Sequence, residues 1–239
     1  MKKLISSLVL LFTIAINIAT VYGNDIYIAQ VGDTLDLDIV QDGENNTIGT
    51  STQDVVLGST GNASDSMTFS ITQTGDSNAI TAQILGTTYT GTWNFTGDSN
   101  TVDLLCSSAA AGNCENVTLN ITGTGDSQDY TINIGETADA DSATIAFTVI
   151  DSNTVVTTDI DGTNATVSVS IDANSSLTAT ANTLDIDITG NGDVNGHGIT
   201  LDTKGKGNTI TLNQSGTNDN IIDLTTVGDN ADIDITQSD

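Results

Sequence analysis

No proline occurs anywhere in the 239 residues. Proline lacks a backbone N–H and is kept out of strand interiors, so its absence suits a chain built from hydrogen-bonded ladders. Arginine is absent too. The basic residues are Lys2, Lys3, Lys204 and Lys206, against 31 acidic ones, for a formal net charge of −27. A field of that sign repels nucleic acid and anionic membrane surfaces. Aromatic residues make up only 4 % of the chain, a scarcity that together with acidity is shared by disordered polypeptides. Against disorder stand a hydrophobic fraction of 37 % and the regular placement of Ile, Val and Leu. Cysteine is limited to Cys106 and Cys114, which in an exported chain predict a disulfide; no further Cys and one remote His leave no zinc-type ligand set.

Long apolar runs are missing except at the start. Lys2 and Lys3 precede an apolar stretch from Leu4 to Ile18 and small residues at Val21-Tyr22-Gly23. This pattern predicts a secretory signal peptide over residues 1–23, since the run falls short of the roughly 20 apolar residues that cross a bilayer. Residues 24–239 then form one secreted array without membrane insertion.

Glycine-containing turns recur through that array. Gly32 to Gly43, Gly75 to Gly86, Gly86 to Gly97 and Gly205 to Gly216 are each 11 residues apart, which predicts a strand and turn per half-period and coils of about 22 residues. Between turns the side chains alternate: Leu35, Leu37 and Ile39 against Asp36 and Asp38, and Met67, Phe69 and Ile71 against Thr68, Ser70 and Thr72. The same split recurs in Leu184, Ile186 and Ile188 and in Ile233 and Ile235. Such a period of two marks half-buried strands. The expected fold is all-β, a two-sided parallel β-solenoid of about ten coils, on the order of 45 to 50 Å long at one coil per sheet spacing. A β-sandwich is the alternative.

Several amides share parity with the apolar face. Gln41 continues the Leu35 face, Gln73 the Met67 face and Gln237 the Ile233 face, while Asn208 and Gln214 flank Ile210 and Leu212 on one parity. Buried amides are costly unless paired, and stacked coils pair them with their equivalents above and below. Capping of the turns is the alternative role.

Gln41-Asp42-Gly43-Glu44-Asn45-Asn46 and Gln73-Thr74-Gly75-Asp76-Ser77-Asn78 both read Q-x-G-x-x-N, and this resembles the strand-turn-strand unit of curlin repeats, the building blocks of bacterial curli fibres. Partial copies lie at Gln30-Val31-Gly32, Gly97-Asp98-Ser99-Asn100, Thr203 to Asn208 and Gly228-Asp229-Asn230. The resemblance covers residues 26–100 and 199–237; between them the inward Gln is mostly missing. It implies a polar ladder of Gln30, Gln41, Asn46, Gln73, Asn78, Asn208, Gln214 and Gln237. It also implies a secreted structural subunit of a curli-like functional-amyloid fibre, serving adhesion and biofilm matrix by end-to-end association with itself or with other curli-like subunits. The last strand, Ala231 to Gln237, is followed only by Ser238 and Asp239, so both ends of the array are expected to accept a further strand.

Little in the chain predicts catalysis. His197, within Gly190-Asn191-Gly192-Asp193-Val194-Asn195-Gly196-His197-Gly198, reads as an exposed loop residue. The pairs Asp36 with Asp38 and Asp185 with Asp187 lie on repeated flat faces, not in a cleft. No cofactor is expected. Calcium on the outer carboxylates is an alternative, within a second reading of the chain as a monomeric acidic adhesin or calcium-binding solenoid. Outward Thr209 and Thr211 suggest an ice-binding face, but in sequence the outward threonines follow no single register.

Overall fold

The computed structural model describes residues 24–30, 34–50, 55–58, 66–106, 114–135, 140–150, 153–172, 181–190, 196–217 and 220–238. The signal-peptide assignment over residues 1–23 lies outside them. The chain forms β1 (Asp25–Ile26), β2 (Ala29–Gln30), β3 (Asp36–Asp42), β4 (Asn46–Ile48), β5 (Val55–Leu57), β6 (Met67–Thr74) and β7 (Ser77–Ile84). It continues with β8 (Tyr89–Thr96), β9 (Ser99–Cys106), β10 (Val117–Thr124), β11 (Ser127–Ile134), β12 (Ala143–Ile150) and β13 (Thr154–Asp161). The last six are β14 (Thr166–Asp172), β15 (Thr183–Thr189), β16 (Gly198–Lys204), β17 (Thr209–Ser215), β18 (Ile221–Val227) and β19 (Asp232–Ser238). No helix occurs among the described residues.

From β5 onward successive strands alternate between an eight-stranded sheet, β3-β6-β8-β10-β12-β14-β16-β18, and an eleven-stranded one holding the rest. Every pairing is parallel, so each coil adds one rung to each sheet. The result is a β-solenoid of about seven turns, about 26 residues apart. This corrects the expected ten coils of 22 residues. Twenty-two is the shortest step, as from Thr68 to its neighbour Thr90, whereas Asp36 to Thr68 and Thr166 to Gly198 each take 32. The extra residues sit outside the paired positions, as between β4 and β5, whose two halves pair with the single strand β7. Closing a longer loop costs little, so the strands keep register while the number of residues between them varies. The stack is correspondingly shorter, on the order of 35 Å at one sheet spacing per turn.

The core lies between the sheets. In β6, Met67, Phe69, Ile71 and Gln73 are buried and Thr68, Thr72 and Thr74 are exposed, as the alternation requires. Although few, the aromatics concentrate inside: Trp93 meets the Phe69 ring edge-on at 5.9 Å and donates its indole N–H to the Phe69 carbonyl, and Tyr130 stacks on Phe147 at 5.8 Å. Gly123 makes room for Tyr130, since a Cβ there would lie 1.9 Å from the phenol oxygen.

Among the turns leading from the eight-stranded to the eleven-stranded sheet, those at Gly43, Gly75, Gly97 and Gly125, and again at Gly205 and Gly228, stack glycine on glycine. A Cβ on Gly97 would lie 1.6 Å from the Gly75 carbonyl oxygen, and its φ of +154° lies in the region that favours glycine.

Candidate functional site

Three residues beyond Gly43, Gly75, Gly97 and Gly125 stands an amide, and together with Asn24 these amides form one column. Asn24 donates to Asn46 Oδ1 (3.2 Å), Asn46 to Asn78 Oδ1 (3.0 Å), Asn78 to Asn100 Oδ1 (2.7 Å), and Asn100 to Gln128 Oε1 (2.8 Å). The same amide nitrogens of Asn46, Asn78, Asn100 and Gln128 also donate to the carbonyls of Gly43, Gly75, Gly97 and Gly125 at 3.0–3.1 Å. All donors point toward the C-terminal end of the stack, so the amide dipoles align and polarise one another. Each amide therefore both pairs between coils and holds its own turn, uniting the two roles weighed from the sequence. The tyrosine hydroxyl of Tyr130 donates to Gln128 Oε1 (2.7 Å); burial pushes its pKa up, so it remains a donor.

Beyond Gln128 the column changes chemistry. Thr154 occupies the next position, and its backbone N–H donates to Asn182 Oδ1 at 3.1 Å. Asn182 in turn donates, from both its backbone and its amide, to Asn208 Oδ1 at 3.2 Å. Asn24, Gln128, Thr154 and Asn182 were not singled out by sequence, and Asn100 stood only in a partial copy. The constant offset from Gly43 to Asn46, Gly75 to Asn78, Gly97 to Asn100, Gly125 to Gln128 and Gly205 to Asn208 is the signal that marks most of the column.

The glutamines occupy other places. Gln73 donates to Gln41 Oε1 at 2.7 Å on the eight-stranded sheet, and this pair ends where Phe95 takes the next rung. Gln30, Gln214 and Gln237 belong to a separate inward column of the eleven-stranded sheet. Its middle is apolar, with Leu57, Ile84, Cys106, Ile134, Ile160 and Ile188. Gln214 is buried, Gln30 half-buried, and Gln237 exposed on the last rung, where it donates to the Asn220 carbonyl. The expected single ladder of eight amides is thus three groups: the asparagines at the starts of eleven-stranded-sheet strands, Gln30, Gln214 and Gln237 near the far ends of strands in that sheet, and Gln41 with Gln73 on the eight-stranded sheet. Cys106 and Cys114 form a disulfide with a Cα–Cα distance of 5.9 Å, and both are buried.

His197 corrects its reading as an exposed loop residue: it is fully buried. Its Nδ1 accepts the Ala165 N–H at 3.1 Å, and its backbone N–H donates to Asn220 Oδ1 at 3.0 Å. It thus performs, at the opposite turn, the task Asn182 and Asn208 perform, receiving the backbone N–H one rung earlier. Burial lowers its pKa, favouring the neutral ring that can accept.

The carboxylates crowd on the outer face of the eleven-stranded sheet. Asp159 and Asp187 are register neighbours on adjacent strands, with Asn133 and Asn213 on the flanking rungs. Partial burial raises the pKa of both; Asp161 and Asp185 add to the shift at Asp159, as Asp159 and Asp185 do at Asp187. A carboxyl with a raised folded pKa binds its proton more readily folded than unfolded, so it weakens the fold above that pKa and the penalty fades as pH falls toward the ordinary value of 3.8. Asp187→Asn is accordingly expected to raise the urea midpoint at neutral pH, with the gain shrinking as pH falls toward about 4. A gain unchanged across that range would contradict the repulsion. Among the described residues, no three His, Cys, Asp or Glu side chains are grouped to hold a metal ion. The one ion pair described, Lys204 with Asp172 at 3.0 Å, is exposed.

No protein-family model, no curated protein and no solved structure matches this chain. Any assignment of function therefore rests on the columns, the faces and the ends of the solenoid itself.

Proposed function

We propose that the chain is the structural subunit of a secreted, curli-like fibre, joined end to end and without catalytic activity. The observation that carries this reading is the match between the two ends of the stack. The inward columns of the eleven-stranded sheet begin at Ile26, Ile28 and Gln30 and finish at Ile233, Ile235 and Gln237, the same residues in the same order. On the last rung Ile233 and Ile235 are 38 % and 46 % exposed, although the parity of their strand is that of the core. A second copy placed one sheet spacing beyond would set Ile26 on Ile233, Ile28 on Ile235 and Gln30 on Gln237. In the other sheet it would set Leu37 on Ile222, Ile39 on Leu224, and Gln41 beside Thr226, whose buried hydroxyl has no partner in the single chain. Strand addition of this kind supplies backbone pairing and apolar burial together.

Charge opposes the joint. The same register sets Asp25 against Asp232 and Asp38 against Asp223, closer than the Debye length of about 8 Å at physiological salt. Fibre growth is therefore expected to accelerate with added salt, with calcium, or with acid approaching the carboxylate range near pH 4. Light scattering with electron microscopy tests this on the secreted chain. A monodisperse monomer under all three conditions would replace the fibre reading with that of a monomeric acidic adhesin.

A further inference from the structure

We propose that the outer face of the eight-stranded sheet binds ice. In sequence the outward threonines lack a common register, because the coils differ in length. The strand pairing removes that difference: Thr68, Thr90, Thr118, Thr144 and Thr166 are consecutive neighbours in one column. At the far end of the first three of those strands Thr74, Thr96 and Thr124 form a second column. Between them the outward positions carry Ser, Thr, Asn and Ala. The face is thus a two-dimensional array of mostly hydroxyl and methyl groups, interrupted by the amides of Asn94 and Asn120, repeating at about 4.8 Å across the strands and about 6.7 Å along them. Those repeats are comparable with the spacings of oxygens on ice planes.

Charge and ring content choose the occupant. On a chain of net charge −27, no outward position of β6, β8, β10 or β12 is charged; acids return at Asp172, Asp202 and Asp223 on one side and at Asp36, Asp38 and Asp42 on the other. Charged groups orient their hydration water against any lattice order, whereas hydroxyls anchor water and methyls cage it. Threonine is also stiff at χ1, so the array is held in place before binding. A crystalline polysaccharide would call for exposed rings to stack on, yet Phe69, Trp93, Tyr89, Phe95 and Phe147 in these strands are all buried. The face remains open in an end-to-end fibre, so this inference does not depend on assembly.

Ice-recrystallisation inhibition and thermal hysteresis of the monomeric secreted chain test it, with Thr90→Tyr at an exposed position of the array and Thr183→Tyr at an exposed position of the other sheet. Circular dichroism checks that both variants keep the β fold. The expected result is activity in the parent and in Thr183→Tyr, with the effective concentration of Thr90→Tyr raised roughly tenfold or more, the scale on which a misfit within a flat interface acts. An inactive parent, or equal loss in both variants, would overturn the proposal. So would Thr90→Tyr abolishing retention on crystalline cellulose, or dissolving a lateral dimer, while leaving ice activity intact.

Discussion

Replacing Gly97 by alanine is expected to destabilise the chain by about 3 to 5 kcal/mol, the range reached only by a short list of severe defects. The added Cβ meets the Gly75 carbonyl oxygen at 1.6 Å, and backbone of that kind has nowhere to go, because Gly75 itself stacks on Gly43. Moving one turn away would also stretch the bonds from the Asn78 and Asn100 amides to these two glycine carbonyls. Gly198→Ala is the control. Its Cβ meets only Thr166 side-chain atoms at 3.7 Å and beyond, so its effect should stay within about 0.5 kcal/mol. Urea midpoints read the difference, provided the slope of the transition is unchanged. Equal midpoints for the two variants would show that the glycine turns do not stack.

Asn78→Leu is expected to cost a similar amount, about 3 to 5 kcal/mol, for a different reason. Leucine has the branched outline and the same number of side-chain heavy atoms as asparagine, so no cavity opens. It removes the donor to the Gly75 and Thr96 carbonyls and to Asn100, and the acceptor that Asn46 uses. Each buried polar atom left without a partner costs roughly 1 to 3 kcal/mol. Thr154 in the same column gives the opposite result, because its hydroxyl already lacks a partner: Thr154→Val should be neutral or stabilising, within about 1 kcal/mol. Denaturation of the two variants side by side separates the hydrogen bonds from the packing. Similar losses in both would mean that the amides act only as space-fillers.

The strands were legible because their alternation is local. Leu35-Asp36-Leu37-Asp38-Ile39 and Leu184-Asp185-Ile186-Asp187-Ile188 declare an inner and an outer face without reference to anything distant. The coil length was not legible, because arcs outside the ladder vary freely: Met67 reaches its neighbour Tyr89 after 22 residues, and Tyr89 reaches Val117 after 28. That variation also hid the threonine lattice and the continuity from Asn100 to Gln128. His197 was misread because glycines on both sides resemble an exposed loop, whereas its role is set by the Ala165 N–H one coil earlier. Gln237 was assigned inward by parity; its exposure follows from its place on the last rung, where no further coil covers it.

Cross-linking the joint shows whether copies join with the last rung of one against the first rung of the next. Ala29 and Thr236 both point outward on these rungs and are exposed. In the proposed register they sit opposite one another at about 4.8 Å, within the Cα separation of about 4.4 to 6.8 Å that a disulfide spans. One chain carrying Ala29→Cys and another carrying Thr236→Cys are mixed under fibre-forming conditions, oxidised, and mapped by mass spectrometry. A mixed disulfide between the two variants is expected, absent when either is oxidised alone. Fibres that form without it, or that link Ala29→Cys only to itself, would contradict the head-to-tail joint, and no association at all would contradict the fibre subunit.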